Sequence, residues 1–290
     1  MVISTLENQK VKVSVSSQGA ELYSLMSKEN SLEYIWQRDV NYWSWHAPIC
    51  FPITGRVHDD TYTFEGKQYH LTVHGFARET AFNLVESNDN YLKYELIYNS
   101  ETLKVYPFKF SLQLVYTLLE NGLKVTYTVK NLDDRQIFFN IGLHTAYNCP
   151  IVNTENFQDY EIIFNETETA NRYFLENGIE SGKTESMLEN ENTISLSKEL
   201  FAKDILLFKN LKSKSLMMKS KKSNVAVKIS YDNFANVGIW TKPQGAPFVC
   251  VEPWNGWADI KDKHVDFEQR EGICSLDVGK IFECSYKIEF

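Results

Sequence analysis

The sequence is poor in the features that would assign it to several large classes. Its 290 residues include only five cysteines (Cys50, Cys149, Cys250, Cys274 and Cys284). They are odd in number, widely spaced and form no Cys-x-x-Cys pair, which argues against a disulfide framework or a zinc ribbon and suggests buried, reduced thiols. The seven prolines and 13 glycines are not gathered into a linker, no segment repeats at a fixed period, and composition does not break along the chain. Nothing asks for a second domain, so residues 1–290 are read as one. No apolar run approaches the roughly 20 residues of a membrane-spanning helix, and the start MVISTLENQKVKVSV lacks a basic segment followed by an apolar one. A cytoplasmic protein with no membrane partner is expected. Basic residues are outnumbered: a net charge of -8 and a pI near 5.4 repel phosphate backbones, which excludes wholesale nucleic-acid binding. A small neutral ligand fits this balance better.

Helical periodicity is scarce as well. Only SLSKELFAKD (195–204) suggests a short helix, with Ser197 as its cap. What remains is a period of two, the mark of half-buried strands. It runs through 11–15, 91–98, 110–118, 123–129, 160–164, 224–231 and 283–290. Asn121-Gly122 suits a hairpin turn with positive φ at both central residues, and SNDN (87–90) marks another turn. The lysine cluster 212–222 reads as a solvated hairpin in preference to an anion site. An all-β fold follows, a large antiparallel β-sandwich with few short helices and a broad face for a ligand.

Three segments concentrate titratable residues. In YHLTVHG (69–75) the alternation places His70 and His74 on one face of a strand. Histidines four apart suit a metal on a helix, but this segment is not helical and no two-His-one-carboxylate spacing occurs, so no metal is expected. His58 and His70 are read as surface or turn residues. In FFNIGLHTAYNCP (138–150), Asn140, Gly142 and His144 face away from Ile141 and Leu143. In PFVCVEPWNGWAD (247–259), Phe248, Cys250 and Glu252 share a face, the strand is expected to end at Pro253, and Trp254 and Trp257 follow. A carboxyl group among aromatics is partly desolvated, which raises its pKa and makes it a better general base. The alternative is that Glu252 pairs with Arg56 or Arg78. Aromatic rings beside polar groups also match the C–H faces and hydroxyl edges of a sugar. Trp36, Trp43 and Trp45 are assigned to the core ahead of a stacking platform.

In this order, FPITGR, HGFAR, NIGLHTAYN and VCVEPWNGWAD resemble the aldose 1-epimerase (galactose mutarotase) family, and within it the LacX-like branch. The resemblance runs from Phe51 to Asp259. It implies a β-sandwich enzyme that interconverts the α and β forms of a free aldose without cofactor or metal. By motif, Glu252 takes the role of the base at the anomeric hydroxyl and His144 that of the acid at the ring oxygen. His74 matches a histidine that bonds substrate oxygen, Arg56 an arginine that orients hydroxyls, and Asp204 in FAKDILLF an aspartate that binds them. The segments VHGFAR and LHTAYNCP depart from the LHGG-like and His-x-Tyr-Phe-Asn-Leu-like runs usual in galactose mutarotases, so the specificity contacts do not transfer with the acid–base pair. The implied ligand is a small sugar, with a hexose 6-phosphate met by Arg78 or Lys242 as one alternative and a non-catalytic sugar sensor as the other.

Overall fold

The computed structural model describes residues 1–290, and the period-two segments become strands within a residue or two of the expected limits. They form Val11–Ser16, Tyr91–Ile97, Phe110–Leu119, Gly122–Asn131, Ala226–Ser230 and Ile281–Glu289. Burial alternates residue by residue through much of Gly122–Asn131, as expected of a strand with one face on a core.

One sheet of 15 antiparallel strands dominates. Its path runs from Ile49–Cys50 through Ile141–Leu143, Phe248–Asn255, Asn236–Trp240 and Leu206–Lys209 to the long strand Tyr160–Glu176. It continues through Ser215–Ser220, Ala226–Ser230, Ile281–Glu289, Gly122–Asn131 and Phe110–Leu119 to Tyr91–Ile97 and Asn83–Ser87. Ile141 and Val251 at one end and Leu96 and Leu112 at the other share one continuous apolar core. The sheet therefore closes over itself as the expected sandwich. A three-stranded sheet, Ile3–Glu7, Val11–Ser16 and Leu22–Ser27, joins that core through Val13 and Leu25. Tyr94 Oη ties it down by donating to the Val15 carbonyl at 3.4 Å.

Several local expectations are corrected. Leu119 pairs directly with Gly122, so the turn there is Glu120-Asn121, and Gly122 lies in the strand without positive φ. A Cβ at Gly122 would lie 1.9 Å from the Ile288 carbonyl oxygen, which explains its glycine by the close approach of the neighbouring strand. A two-residue turn with positive φ at both positions is found instead at Asn177-Gly178, at φ 54° and 81°. It joins Tyr160–Glu176 to Ile179–Ser195, two 17-residue strands of which the sequence pattern showed only the first five residues. The expected helix at 195–204 is a single 3-10 turn, Glu199–Phe201, with Ser197 Oγ accepting the Leu200 N–H at 3.3 Å. The lysines at 212, 214, 219, 221 and 222 are exposed on the hairpin around Ser215–Ser220 while Leu216 and Met218 are buried, as read. Pro253 does not end its strand, which runs to Asn255; one missing N–H is a local loss that the adjoining ladder pairs outweigh.

Candidate active site

The site begins with a strand that has no solvent face. All eight residues of Phe248–Asn255 are buried, because Asn236–Trp240 pairs on one side and Ile141–Leu143 with Thr145–Asn148 on the other. Glu252 therefore projects from the middle of a sheet and is 1% exposed. His144 sits at the break between the two short partner strands. Its backbone N–H bonds to the Pro48 carbonyl at 3.1 Å instead of continuing the ladder. The result is a distance of 3.2 Å between His144 Nε2 and Glu252 Oε1. That approach lacks hydrogen-bond alignment, and both Glu252 oxygens and His144 Nδ1 have no hydrogen-bond partner.

The motifs around Phe51 and His74 lock to each other. Phe51 N–H donates to the His74 carbonyl at 3.1 Å, and His74 N–H to the Gly55 carbonyl at 2.8 Å. His74 is therefore not in the strand with His70. That strand, Lys67–His70, ends first, His70 stays exposed, and His74 occupies a turn at φ 64°. The backbone bonds of the turn override the local alternation. Gly55 N–H also donates to His74 Nδ1 at 3.2 Å. With Nδ1 accepting, the proton of the neutral ring belongs on Nε2, which becomes a donor.

Burial sets the protonation of all three groups. It raises the Glu252 carboxyl well above the usual range, with the charge of Asp204 adding to the effect. It lowers His144 to about 3, assisted by Arg78 and opposed by a backbone hydrogen bond. It also pushes His74 well below the usual histidine range, with His144, Arg78 and Arg56 adding to the shift. Glu252 makes an ion pair with neither arginine: Arg56 Nε lies 3.5 Å from Asp60 and Arg78 Nε 3.7 Å from Glu79.

His74, His144, Glu252 and Asp204 line one cavity of about 280 Å³ together with Arg78, Trp43, Trp240 and Trp254. Trp43 stacks on His144 with ring centroids 4.8 Å apart, and Trp254 keeps an unpartnered indole N–H. Asp204, at φ 70°, accepts a 2.7 Å bond from Trp240 Nε1. Its loop is held from beneath by Arg172, 3% exposed, whose Nη2 donates to the Lys203 and Asp204 carbonyls at 2.7 and 2.8 Å and whose Nε donates to Ile205 at 3.0 Å. Arg56 is placed differently. It lines an adjoining cavity with His58, Glu176 and Lys261, and the guanidinium in the His144–Glu252 cavity belongs to Arg78. Lys242 lines neither.

Of the three tryptophans expected in the core, Trp36 is there at 8% exposure. Trp43 forms cavity wall, and Trp45 lies half-buried under the Arg78 guanidinium, 5.3 Å from its ring centroid. Trp240 and Arg172 were not anticipated, since neither an isolated aromatic closing a strand nor an arginine within an exposed hairpin carries a sequence signal. The side chains able to hold a metal ion are His144, Cys250 and Glu252, whose ligand atoms lie within 4.8 Å of one another. No helix is long and apolar enough to cross a membrane.

Comparison with known proteins identifies the family and the fold. Residues 2–266 match the family described as aldose 1-epimerase. The plasmid-encoded protein LacX of Lactococcus lactis subsp. lactis is 33% identical over 287 residues, covering 95% of this chain and 96% of that protein. A galactose mutarotase related enzyme from Lactobacillus acidophilus superposes with a TM-score of 0.94 at 33% identity, covering 99% of this chain and 97% of the other. A galactose mutarotase-like protein from Lactobacillus casei ATCC 334 superposes with a TM-score of 0.93 at 30% identity over 99% of each chain.

Proposed function

The chain belongs to the aldose 1-epimerase family, and from that premise we propose that it interconverts the α and β anomers of a free aldohexose by acid–base ring opening and reclosure. The observation that carries this reading is the His144–Glu252 separation of 3.2 Å. A cyclic aldose presents two oxygens on one carbon, the anomeric hydroxyl and the ring oxygen, and opening the ring requires a proton to leave the first while another reaches the second. An acid and a base side by side, buried and without other partners, match that demand.

In this reading the proton that burial keeps on Glu252 passes across the 3.2 Å gap to His144 as sugar fills the cavity, so that Glu252 takes the proton from the anomeric hydroxyl and His144 delivers one to the ring oxygen. The C1–O5 bond breaks, a carbonyl forms at C1, and rotation about C1–C2 exposes its other face to the returning hydroxyl. The two groups then exchange roles, so the cycle ends in its starting protonation state and needs no cofactor. His74, donating through Nε2, holds the charge that develops on sugar oxygen, and Asp204 accepts from a hydroxyl. By its motif Arg56 orients hydroxyls, which from the adjoining cavity requires a sugar that reaches past Val73 and Gly178, residues common to both cavities. The indole walls suit the apolar faces of a pyranose.

Arg78 supports a second reading, a hexose 6-phosphate, because its side chain is only 13% exposed and brings a guanidinium into the cavity itself, where a phosphate would pair with it. Polarimetry separates these readings. Freshly dissolved α-D-glucose and α-D-galactose are expected to mutarotate faster with the protein than in buffer, and the acceleration to vanish in Glu252→Gln. No acceleration with either sugar but acceleration with a hexose 6-phosphate moves the substrate to the second reading. No acceleration with any of them leaves a sugar binder and sinks the enzyme assignment.

A further inference from the structure

We propose that His144, Cys250 and Glu252 form a binding site for one borderline-soft divalent cation, Zn2+ or Cd2+, at the floor of the cavity. Sheet geometry assembles the trio. Cys250 and Glu252 are two residues apart on one strand and so share a face. On the partner strand Cys250 pairs with Ala146 and Val251 with Thr145, which brings His144 alongside them. All three are buried, and their ligand atoms lie within 4.8 Å of one another.

The donor set selects the ion. One imidazole nitrogen, one thiolate and one carboxylate oxygen suit Zn2+ or Cd2+ and suit Mg2+ or Ca2+ poorly. A tetrahedral zinc with bonds of about 2.0 to 2.1 Å holds a nitrogen and an oxygen ligand roughly 3.3 Å apart. His144 Nε2 and Glu252 Oε1 are already at 3.2 Å. Both Glu252 oxygens lack a hydrogen-bond partner, so coordination displaces no existing bond. Charge closes as well: the dication meets a thiolate and a carboxylate, giving a neutral buried centre, and Arg78 is the only cation lining the cavity above it. Binding ionises both the Cys250 thiol and the Glu252 carboxyl, with metal–sulfur and metal–oxygen bonds replacing S–H and O–H and both protons leaving to solvent. Water completes the tetrahedron at the fourth position.

Such an ion occupies the lone pairs that the proposed reaction uses. It therefore acts as a competitor of the sugar and not as a cofactor.

The test uses the full chain stripped of metal with a chelator. Titration with Co2+ is expected to saturate at one equivalent with a thiolate-to-metal charge-transfer band, and calorimetry with Zn2+ to give the same stoichiometry. Cys250→Ala is expected to abolish the band and weaken Zn2+ by at least the roughly 10- to 100-fold that losing even an outer-shell partner costs, and Glu252→Gln to weaken it without removing the band. Circular dichroism checks folding. Should Cys250→Ala not fold, Cys250→Ser keeps the volume and also removes the band. Absence of the band in wild type overturns the proposal, as does binding unchanged in both variants, which places the ion elsewhere, for example on the His58–His264 pair with rings 4.3 Å apart. A second arm asks whether Zn2+ slows mutarotation competitively with sugar. That arm rests on the mutarotase reading, whereas the spectroscopic arm does not, so failure of one is separable from failure of the other.

Discussion

Two long stretches of the molecule are both β-structure and differ in nearly every other respect. Phe248–Asn255 buries all eight residues, and its pairings run without a register shift. The hairpin Tyr160–Ser195 breaks register four times, and most residues of its second arm face solvent. Yet both reach the same cavity, the strand through Glu252 and Trp254, the hairpin through Leu175 and Gly178 at its tip. A group fixed by neighbours on both sides can hold an acid and a base at a set distance. A ribbon with little buried under it contributes only wall. The proposed acid–base pair thus lies where the backbone has no freedom, and the enclosure where it has some.

The largest effect expected from testing this contrast is at Glu252. Glu252→Gln should lower the rate by roughly 10²- to 10⁴-fold, the usual worth of a positioned base, while leaving the fold intact. The same variant should be more heat-stable than wild type, increasingly so as pH rises. A carboxyl whose folded pKa is raised contributes stability that is present at low pH and lost as pH climbs through the raised value, and glutamine has no such loss. Melting curves across the pH range check both sign and trend, and a gap that narrows with pH would contradict the burial argument. His144 carries the opposite sign. Its neutral form is favoured down to about 3, so its stabilising contribution is complete above the ordinary histidine range and lost as pH falls from there toward about 3.

Next comes Gly142→Ala, beside the buried strand. Its new Cβ would lie 2.5 Å from Trp254 Cδ1 and 3.0 Å from Thr54 Cγ2, an overpacking worth about 1–3 kcal/mol and visible in chemical denaturation. At the hairpin tip, Leu175→Ala removes wall and no chemistry, so KM should rise by roughly fivefold, about 1 kcal/mol of lost contact, with kcat little changed. The smallest effect belongs to Gly182→Ala on the hairpin. No atom lies within 4 Å of its new Cβ, and only the φ of 75° is unfavourable, a cost of about 1 kcal/mol or less. If Gly182→Ala proved as damaging as Gly142→Ala, the distinction between the two regions would fail.

The same contrast explains how far the sequence could be read. Strands with one buried face announce themselves by alternation, which is why Tyr91–Ile97, Phe110–Leu119 and Gly122–Asn131 emerge from pattern alone. The hairpin beyond Phe164 does not, because each register shift resets the period and polar residues occupy both faces. Two Glu-Asn-Gly triplets, 120–122 and 176–178, look alike in sequence, but of the two only Asn177-Gly178 makes the turn with positive φ; at 122 the glycine answers to the strand Ile281–Glu289, a neighbour distant in sequence. The site was legible where motif and structure coincide: His74, His144, Asp204 and Glu252 converge on one cavity. It was misread where tertiary contacts decide, as with His74 on a turn, Arg56 displaced to the next cavity, and Trp43 serving as wall.

Arg172 carries a last consequence. By binding three successive carbonyls, it fixes the loop of Asp204 before any ligand is present. A sugar bound there as proposed would find no disordered segment to organise, so the ordering of that loop is completed in folding and does not weaken binding. In the proposed complex, replacing this arginine would remove no atom that touches the sugar and would still weaken binding, because the loop would have to be ordered as the sugar arrives.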